Sequence, residues 1–268
     1  MASTQINGLN IGYDDVGKGK PLVFVHGYPF NRSLWDPQVE ALRVFCRVVT
    51  LDLPGFGESD VANQALSIKD MAMYVAGLLD HLQIERATFV GLSMGGYVVL
   101  ALYKELADRV AGLVLGDTRA EADSAEAKLT REQQAKQILA ESMNATASAM
   151  LPKLLCGETV NKRADIVEHV RQMILQTKPE GAATALKAMA QREDLTSLLP
   201  RIKVPTLILV GSEDTITPLA HSKKMNDGIS SSRLVEIENA AHVSNLEQAE
   251  IWNREIVSFM EVINHPGT

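Results

Sequence analysis

Six short runs of aliphatic and β-branched residues recur along the chain, and they constrain the fold more than any other feature. Within each run apolar residues follow one another instead of alternating with polar ones, which is typical of strands buried on both faces of a parallel sheet. Segments with apolar residues at helical spacing lie between several runs. This order predicts an α/β protein with a mostly parallel central sheet flanked by helices. The predicted strands are residues 22–25, 47–51, 87–90, 110–115, 206–210 and 233–237.

One of the predicted helices begins with a recognisable capping box. Ser67 precedes Asp70 by three residues, so the two side chains can cap each other's backbone N–H groups. The residues that follow form an apolar stripe at helical spacing. Its members are Ile68, Met71, Ala72, Val75, Leu78, Leu79 and Leu82.

The alternation of strands and helices is interrupted between residues 119 and 199. Ala, Leu, Met, Gln, Lys and Glu dominate this segment in helical periodicity, and none of it has the pattern of a strand. We therefore expect an α/β core built from residues 1–118 and 200–268. Residues 119–199 are expected to form an inserted helical lid (cap) subdomain over a site at the sheet edge.

The charge balance and the two cysteines exclude several classes of protein. The chain has 26 Lys and Arg against 33 Asp and Glu, a net charge of −7, and this acidic balance disfavours nucleic-acid and anionic-membrane partners. Apolar runs of strand length and the lack of a secretory leader predict a cytoplasmic location away from membranes. Cys46 and Cys156 belong to no Cys/His cluster, which predicts reduced thiols and no metal site.

The strongest chemical motif is a Gly-x-Ser-x-Gly at Gly91, Ser93 and Gly95. It lies between a predicted strand and a predicted helix, which is the structural context of a nucleophile elbow. So sharp a turn strains the backbone at its tip, and the flanking positions have no room for a Cβ. The helix that follows directs its free N–H groups towards charge that develops near the serine hydroxyl. Ser93 is therefore the predicted nucleophile.

A serine hydroxyl needs a neighbouring base, and that base needs an acid to orient it. His242 lies in a loop between the last predicted strand and a helix, which makes it the candidate base. Asp214 follows the strand 206–210, at the end where open α/β sheets form their sites, and is the candidate acid. The alternatives are a capping or core role for His242 and a turn or helix-cap role for Asp214. Glu213 is a weaker candidate for the acid.

The order Ser93, Asp214, His242 is the order of the α/β-hydrolase family, and the sequence resembles that family over nearly its whole length. The resemblance predicts the α/β-hydrolase fold and an activity that needs no cofactor. No nucleotide or metal motif competes with this interpretation. The motifs that carry the resemblance are His26-Gly27, Asp52-Leu-Pro-Gly-Phe-Gly-Glu-Ser59, the Gly91 to Gly95 elbow, Gly211 to Asp214 and Ala241-His242.

The resemblance also assigns further roles around the predicted nucleophile. The backbone N–H groups of Met94 and Tyr28 are expected to form an oxyanion hole, and His26 is expected to fix its loop without taking part in the chemistry. Asp117 remains an alternative acid because some members of the family take theirs from the end of the preceding strand.

The resemblance is strongest to bacterial esterases, enol-lactonases and cofactor-free perhydrolases (haloperoxidase-like proteins). We expect a serine esterase that acts on small-molecule esters or lactones with small to medium acyl groups. Enol-lactonase or perhydrolase activity and a low-turnover receptor are the alternatives.

Arg32 and Arg119 follow predicted strands and could contact a substrate carboxylate, although surface ion pairs are commoner for such residues. The segment 119–199 has no aromatic residue, so an apolar pocket roof is expected if its methionines face inward, although such methionines are more often simple core. These are Met143, Met150, Met173 and Met189.

Overall fold

In the computed structural model, which describes residues 2–264, eight strands form one sheet in the order β1-β2-β4-β3-β5-β6-β7-β8. The strands from β4 to β8 in this order pair in parallel, and β1 and β2 add an antiparallel edge. This architecture is the predicted mostly parallel sheet. The strands are β1 Ala2–Ile6, β2 Leu9–Val16, β3 Pro21–Val25, β4 Arg47–Leu51, β5 Ala87–Leu92, β6 Val110–Gly116, β7 Thr206–Gly211 and β8 Ser232–Ile237.

All six predicted strands are present, and their bounds differ from the prediction by no more than two residues. Every residue of β5 and β7 is buried, as expected for central strands covered on both faces. These two strands could therefore be predicted from their apolar runs alone. β3 pairs with β4 on one side and with β5 on the other, so the order in which the chain adds strands to the sheet changes direction at β3. Ligand sites of open α/β sheets lie at such a switch point, outside the carboxyl ends of the strands.

The hairpin of β1 and β2 was not predicted from the sequence. β1 is one of the two edge strands, and most of its residues are exposed or half-buried. Polar residues therefore occupy most of its positions, and the strand has no continuous apolar run. Asn7 and Gly8, both with positive φ, form the turn between the strands.

Helices flank the sheet, and the capping box at Ser67 is present as predicted. Ser67 Oγ accepts from Asp70 N–H at 3.1 Å, and Asp70 Oδ2 accepts from Ser67 N–H at 2.8 Å. The helices are α1 Asp36–Leu42, α2 Ile68–His81, α3 Met94–Leu106, α4 Ala125–Ala140, α5 Met143–Leu154, α6 Gly157–Lys162, α7 Ala164–Gln176, α8 Pro179–Ala190, α9 Leu219–Gly228, α10 Ser244–Glu247 and α11 Ala249–Asn264. None of the helices in residues 2–264 has the length and apolar character needed to cross a membrane.

Five helices, α4 to α8, separate β6 from β7, where the sequence predicts a helical segment without strands. α4 packs against α8, and α5 packs against α7. Several hydrogen bonds tie this segment to the rest of the molecule, and three of them involve Thr177, Lys178 and Cys156. Thr177 Oγ1 donates to Pro29 O at 2.7 Å, Lys178 Nζ donates to Ser59 O at 2.9 Å, and Glu247 accepts from Cys156 N–H at 2.8 Å. The helices thus lie above the carboxyl ends of the central strands.

Candidate active site

Ser93 occupies a sharp turn between β5 and α3. Its φ is 54° and its ψ is −114°, a backbone conformation that costs energy for any residue with a Cβ. Two hydrogen bonds hold the turn: Ser93 N–H donates to Gly116 O at 2.9 Å, and Thr118 Oγ1 donates to Ser93 O at 2.7 Å. Strand β6 and the residues after it therefore support the strained turn that presents the serine side chain.

The two glycines of the motif are needed for close packing and not for their own backbone angles. A Cβ at Gly91 would overlap the carbonyl group of Gly95, and a Cβ at Gly95 would overlap the carbonyl oxygen of Val25 at the end of β3. The first turn of α3 therefore lies directly against two strand ends. This packing is the physical reason for the Gly-x-Ser-x-Gly pattern in this chain.

The structure brings Ser93, His242 and Asp214 into one chain of hydrogen bonds. His242 Nε2 lies 2.8 Å from Ser93 Oγ, and His242 Nδ1 lies 2.8 Å from Asp214 Oδ2. All three residues are at least nine-tenths buried. Glu213, the weaker alternative, is exposed. The arrangement allows a proton to pass from the serine hydroxyl to the imidazole while the carboxylate orients the ring.

Asp214 is held as a carboxylate by the groups around it. Burial alone would raise its pKa, but the charge and hydrogen bond of His242 and the donors of Thr217 outweigh burial and lower the pKa of Asp214 to about 2. Thr217 Oγ1 donates to Asp214 Oδ2 at 2.6 Å, and the N–H groups of Ile216 and Thr217 donate to Oδ1 at 2.8 and 3.0 Å. Thr217 was not predicted, because a threonine in a loop carries no sequence motif.

Asp117 lies behind this chain of hydrogen bonds. Its Oδ1 accepts from Gly211 N–H at 2.8 Å, and its Oδ2 lies 2.5 Å from Ser244 Oγ. Burial raises the pKa of Asp117 well above its ordinary value, and the neighbouring charge of Asp214 raises it further. The carboxylate that contacts His242 is therefore that of Asp214, while Asp117 connects the end of β7 to the start of α10.

Glu247 supports the loop of His242 and was also not predicted. Its Oε2 accepts from Ala241 N–H at 2.6 Å, and its Oε1 accepts from Cys156 N–H at 2.8 Å. One buried carboxylate thus joins the loop before His242 to the segment between α5 and α6. Its sequence position, at the end of a four-residue helix, gives no indication of this contact.

The loop after β3 lies against the elbow, where the oxyanion hole is expected. His26 Nδ1 donates to Gly27 O at 2.8 Å, and its Nε2 accepts from Leu53 N–H at 3.0 Å. Burial lowers the pKa of His26, which favours the neutral ring that these two bonds require. Both nitrogens are therefore used to fix the loop. Tyr28 follows in this loop, and Met94 is the first residue of α3, so its N–H has no acceptor within the helix.

A cavity of about 270 Å³ lies above Ser93 and His242. Helices α4, α5 and α8 supply much of its lining, together with Tyr28, Tyr97 and Ile216. The expectation of an apolar roof is met only in part. Met150 and Met189 line the cavity, whereas Met143 and Met173 are buried in the core. Polar and charged residues of α4, α5 and the residue after α4 also line it, namely Arg131, Gln134, Gln137, Glu141, Thr146 and Lys153.

Comparison with known proteins identifies the family. A family model described as the alpha/beta hydrolase fold matches residues 20–249. The chain belongs to the α/β-hydrolase family.

Among proteins of known structure, this α/β-hydrolase is similar to a thermophilic esterase from Thermogutta terrifontis, solved with malate bound. The identity is 39%, the TM-score is 0.95, and the match covers 98% of this chain and 97% of that one. An enol-lactonase from Burkholderia xenovorans LB400 is 31% identical with a TM-score of 0.91, over 97% of this chain and 100% of the other.

A curated relative, 3-oxoadipate enol-lactonase 2 of Acinetobacter baylyi, is 28% identical over 243 residues. The match covers 91% of this chain and 89% of the relative. The matches to all three proteins thus extend over nearly the whole α/β-hydrolase chain.

The two arginines considered as substrate contacts form ion pairs within this hydrolase instead. Arg32 binds Asp52, Asp14 and Glu58, and does not line the cavity. Arg119 Nη2 binds Asp123 at 2.6 Å. Both arginines are thus ion-paired, as the commoner interpretation expects, although Arg32 is buried and does not lie on the surface. Within residues 2–264 no group of His, Cys, Asp and Glu side chains has the arrangement of a metal site.

Proposed function

We propose that this hydrolase cleaves carboxylic esters of small to medium acyl groups through an acyl-enzyme on Ser93. The observation that supports the proposal most is the continuous hydrogen-bond chain from Ser93 Oγ through His242 to Asp214, with 2.8 Å at each step. The Ser93 hydroxyl and His242 also line the same cavity. A substrate in that cavity meets the hydroxyl and its base together.

In the first half of the reaction, His242 Nε2 takes the proton of Ser93 as Oγ forms a bond to the ester carbonyl carbon. The carbonyl oxygen becomes an oxyanion and accepts from the N–H groups of Met94 and Tyr28. The tetrahedral intermediate collapses when the carbon–oxygen bond to the alcohol breaks. His242 gives its proton to the departing oxygen, which leaves an acyl group on Ser93.

In the second half, His242 takes a proton from water as the water oxygen attacks the acyl carbon. The same two N–H groups receive the second oxyanion. The second tetrahedral intermediate collapses as the bond between the acyl carbon and Ser93 Oγ breaks, His242 returns the proton to Oγ, and the carboxylic acid is released. Asp214 stays ionised throughout, because its pKa is held at about 2, and it stabilises the imidazolium that forms twice per turnover.

A lactone is the second candidate substrate, because two of the relatives described above are named enol-lactonases. A lactone presents the same carbonyl chemistry, with the departing oxygen tethered to the acyl group. Comparison of kcat/KM for a lactone and for its open-chain ester separates the two candidates. A ratio well above one favours the lactone.

The proposal is tested with p-nitrophenyl esters of increasing acyl length, assayed on wild type, Ser93→Ala and Ser222→Ala. Ser222 is a buried serine on α9 outside the cavity, which makes it a matched control. We expect kcat to fall roughly 10⁶-fold in Ser93→Ala and to stay near wild type in Ser222→Ala. A fluorophosphonate probe located by mass spectrometry is expected on Ser93. Full turnover in Ser93→Ala, or a folded wild type with neither turnover nor labelling, contradicts the proposal.

A further inference from the structure

The cavity above Ser93 contains a buried polar group without a partner. Tyr28 is 8% exposed, it lines the cavity, and within residues 2–264 its hydroxyl has no hydrogen-bond partner. The ring packs edge-on against Phe56, with the ring centroids 6.4 Å apart. Burial raises the pKa of Tyr28, and the charge of Arg131 opposes this only partly, so the hydroxyl keeps its proton near neutral pH. A buried donor of this kind is costly unless it has an acceptor.

Arg131 of α4 lines the same cavity and carries donors that its ion pair does not use. Its Nε donates to Asp123 Oδ2 at 2.5 Å, and this contact involves Nε alone. A guanidinium group has five N–H donors, so four remain on the two terminal nitrogens. The side chain is 20% exposed and lines the cavity, and the ion pair at Nε holds the guanidinium in place.

The charge around Arg131 is positive on balance. Asp123 has a fully buried side chain and binds three guanidinium groups, those of Arg119, Arg131 and Arg192, at 2.6, 2.5 and 2.8 Å. One carboxylate therefore leaves two of these positive charges uncompensated. The other charged side chains that line the cavity are Lys153 and Glu141, which oppose each other. Of these three guanidinium groups only that of Arg131 lines the cavity, and its only partly compensated charge favours an anionic ligand there.

We propose that the substrate carries a carboxylate in addition to its reacting ester or lactone, and that this carboxylate binds between Arg131 and the Tyr28 hydroxyl. One carboxylate oxygen would accept from the guanidinium and the other from the phenol, which gives the unpartnered hydroxyl its acceptor. The inference rests on the proposed ester hydrolysis and names its substrate class. Arg131 and Tyr28 then determine specificity, while Ser93 and His242 carry out the reaction.

The test compares pairs of substrates that differ in one charge. Monoethyl esters of succinic, glutaric and adipic acid are paired with analogues in which the free carboxylate is a carboxamide of the same shape. We expect the wild type to prefer the carboxylate at one or more chain lengths, through a lower KM. In Arg131→Gln this preference, measured as the ratio of kcat/KM values, should fall by about 10- to 100-fold. Arg131→Lys should keep part of it, and Tyr28→Phe should lower it several-fold.

Arg171→Gln is the matched control, because Arg171 is an exposed arginine of α7 that does not line the cavity. The control should keep the preference of the wild type. Asp123 keeps its ion pairs with Arg119 and Arg192 in Arg131→Gln, so we expect this variant to fold. Circular dichroism checks the fold, and Arg131→Lys replaces the Gln variant if it is unfolded.

Two results separate failure of this inference from failure of the proposed function. If Ser93 is labelled and neutral esters are cleaved, but the carboxamides react as well as the carboxylates at every length, the inference is wrong and the proposed function stands. If no ester is cleaved, calorimetric titration of the wild type with glutarate decides the question. Binding that is lost in Arg131→Gln supports the carboxylate site, and no binding to the wild type overturns it.

Discussion

Substitution of Asp117 by Asn should stabilise the protein more strongly as the pH rises. Burial raises the pKa of Asp117 well above its ordinary value, and the charge of Asp214 raises it further. An acid whose pKa is higher in the folded chain takes up a proton on folding at any pH between its unfolded and folded values. Stability is therefore lost as the pH rises through that interval, by about 1.4 kcal/mol per pH unit starting near pH 4.

Asparagine reproduces the neutral form of Asp117. Its amide can donate to Ser244 Oγ and its carbonyl oxygen can accept from Gly211 N–H, the two partners of the native side chain. Asp117 has a φ of 44°, in the left-handed region that asparagine tolerates better than most residues. Because asparagine does not ionise, the stability of Asp117→Asn relative to wild type should increase with pH at the same slope until the folded pKa is reached.

The same change at Asp214 should have the opposite sign. The charge and hydrogen bond of His242 and the donors of Thr217 outweigh burial and lower the pKa of Asp214 to about 2. A group with a lowered folded pKa contributes stability that is present above its unfolded pKa, near 4, and is lost as the pH falls towards 2. Asp214→Asn should therefore be less stable than wild type throughout neutral pH, with a difference that does not grow as the pH rises.

Urea unfolding of wild type, Asp117→Asn and Asp214→Asn at steps between about pH 5 and about pH 8 measures both effects. Each 1 kcal/mol corresponds to about 2–4 °C in Tm for a chain of this size, so thermal unfolding gives an independent check. A stability difference between Asp117→Asn and wild type that is flat or falling over this range would refute the reasoning.

Activity distinguishes the two carboxylates as well. Asp214→Asn should lower kcat by about 10⁴-fold, and Asp117→Asn should lower it far less.

Three further substitutions test the packing and charge of the fold. Gly95→Ala should destabilise the protein by about 1–3 kcal/mol, because the new Cβ overlaps the carbonyl oxygen of Val25; an unchanged Tm would contradict this. Ser67→Ala removes one half of the capping box of α2 and should cost about 1 kcal/mol in urea unfolding. Arg32→Gln leaves the fully buried Asp52 without its ion pair and should cost about 3–5 kcal/mol. Since Arg32 does not line the cavity, the substrate preference of any folded Arg32→Gln protein should match wild type.

Most of the central sheet could be predicted because strands covered on both faces consist almost entirely of apolar residues. β5 and β7 are buried at every residue, so their signal depends on no tertiary information. The edge hairpin of β1 and β2 lacks that signal, because strands with exposed residues tolerate polar side chains. The predicted site residues follow the same logic. Ser93 lies within a local motif whose glycines are required by backbone contacts, and its partners follow strands whose ends meet at one edge of the sheet.

The residues that the sequence did not indicate occur in no motif. Thr217 bonds Asp214 within one loop, whereas Glu247 and Arg131 acquire their roles only when separate loops and helices pack. Arg131 is the clearest case. Its position on α4 places it on a mostly exposed helix, where a solvated arginine is the ordinary expectation. Only the packing of α4 against α8, with Asp123 held among three arginines, turns this side chain towards the cavity.

Activity and specificity can change separately in this chain, because the reacting residues and the cavity lining lie on different parts of the fold. Ser93 lies on the turn after the fully buried strand β5, where the Gly95 contact with Val25 leaves no room for variation, and His242 lies on the loop after the edge strand β8. The cavity is lined largely by helices α4, α5 and α8, whose outward positions are free to vary without loss of the core. Substitution at Arg131 can therefore change which esters bind while the reacting groups stay in place. Reaction chemistry is thus encoded locally in this sequence, whereas substrate charge is encoded in the packing of the helices.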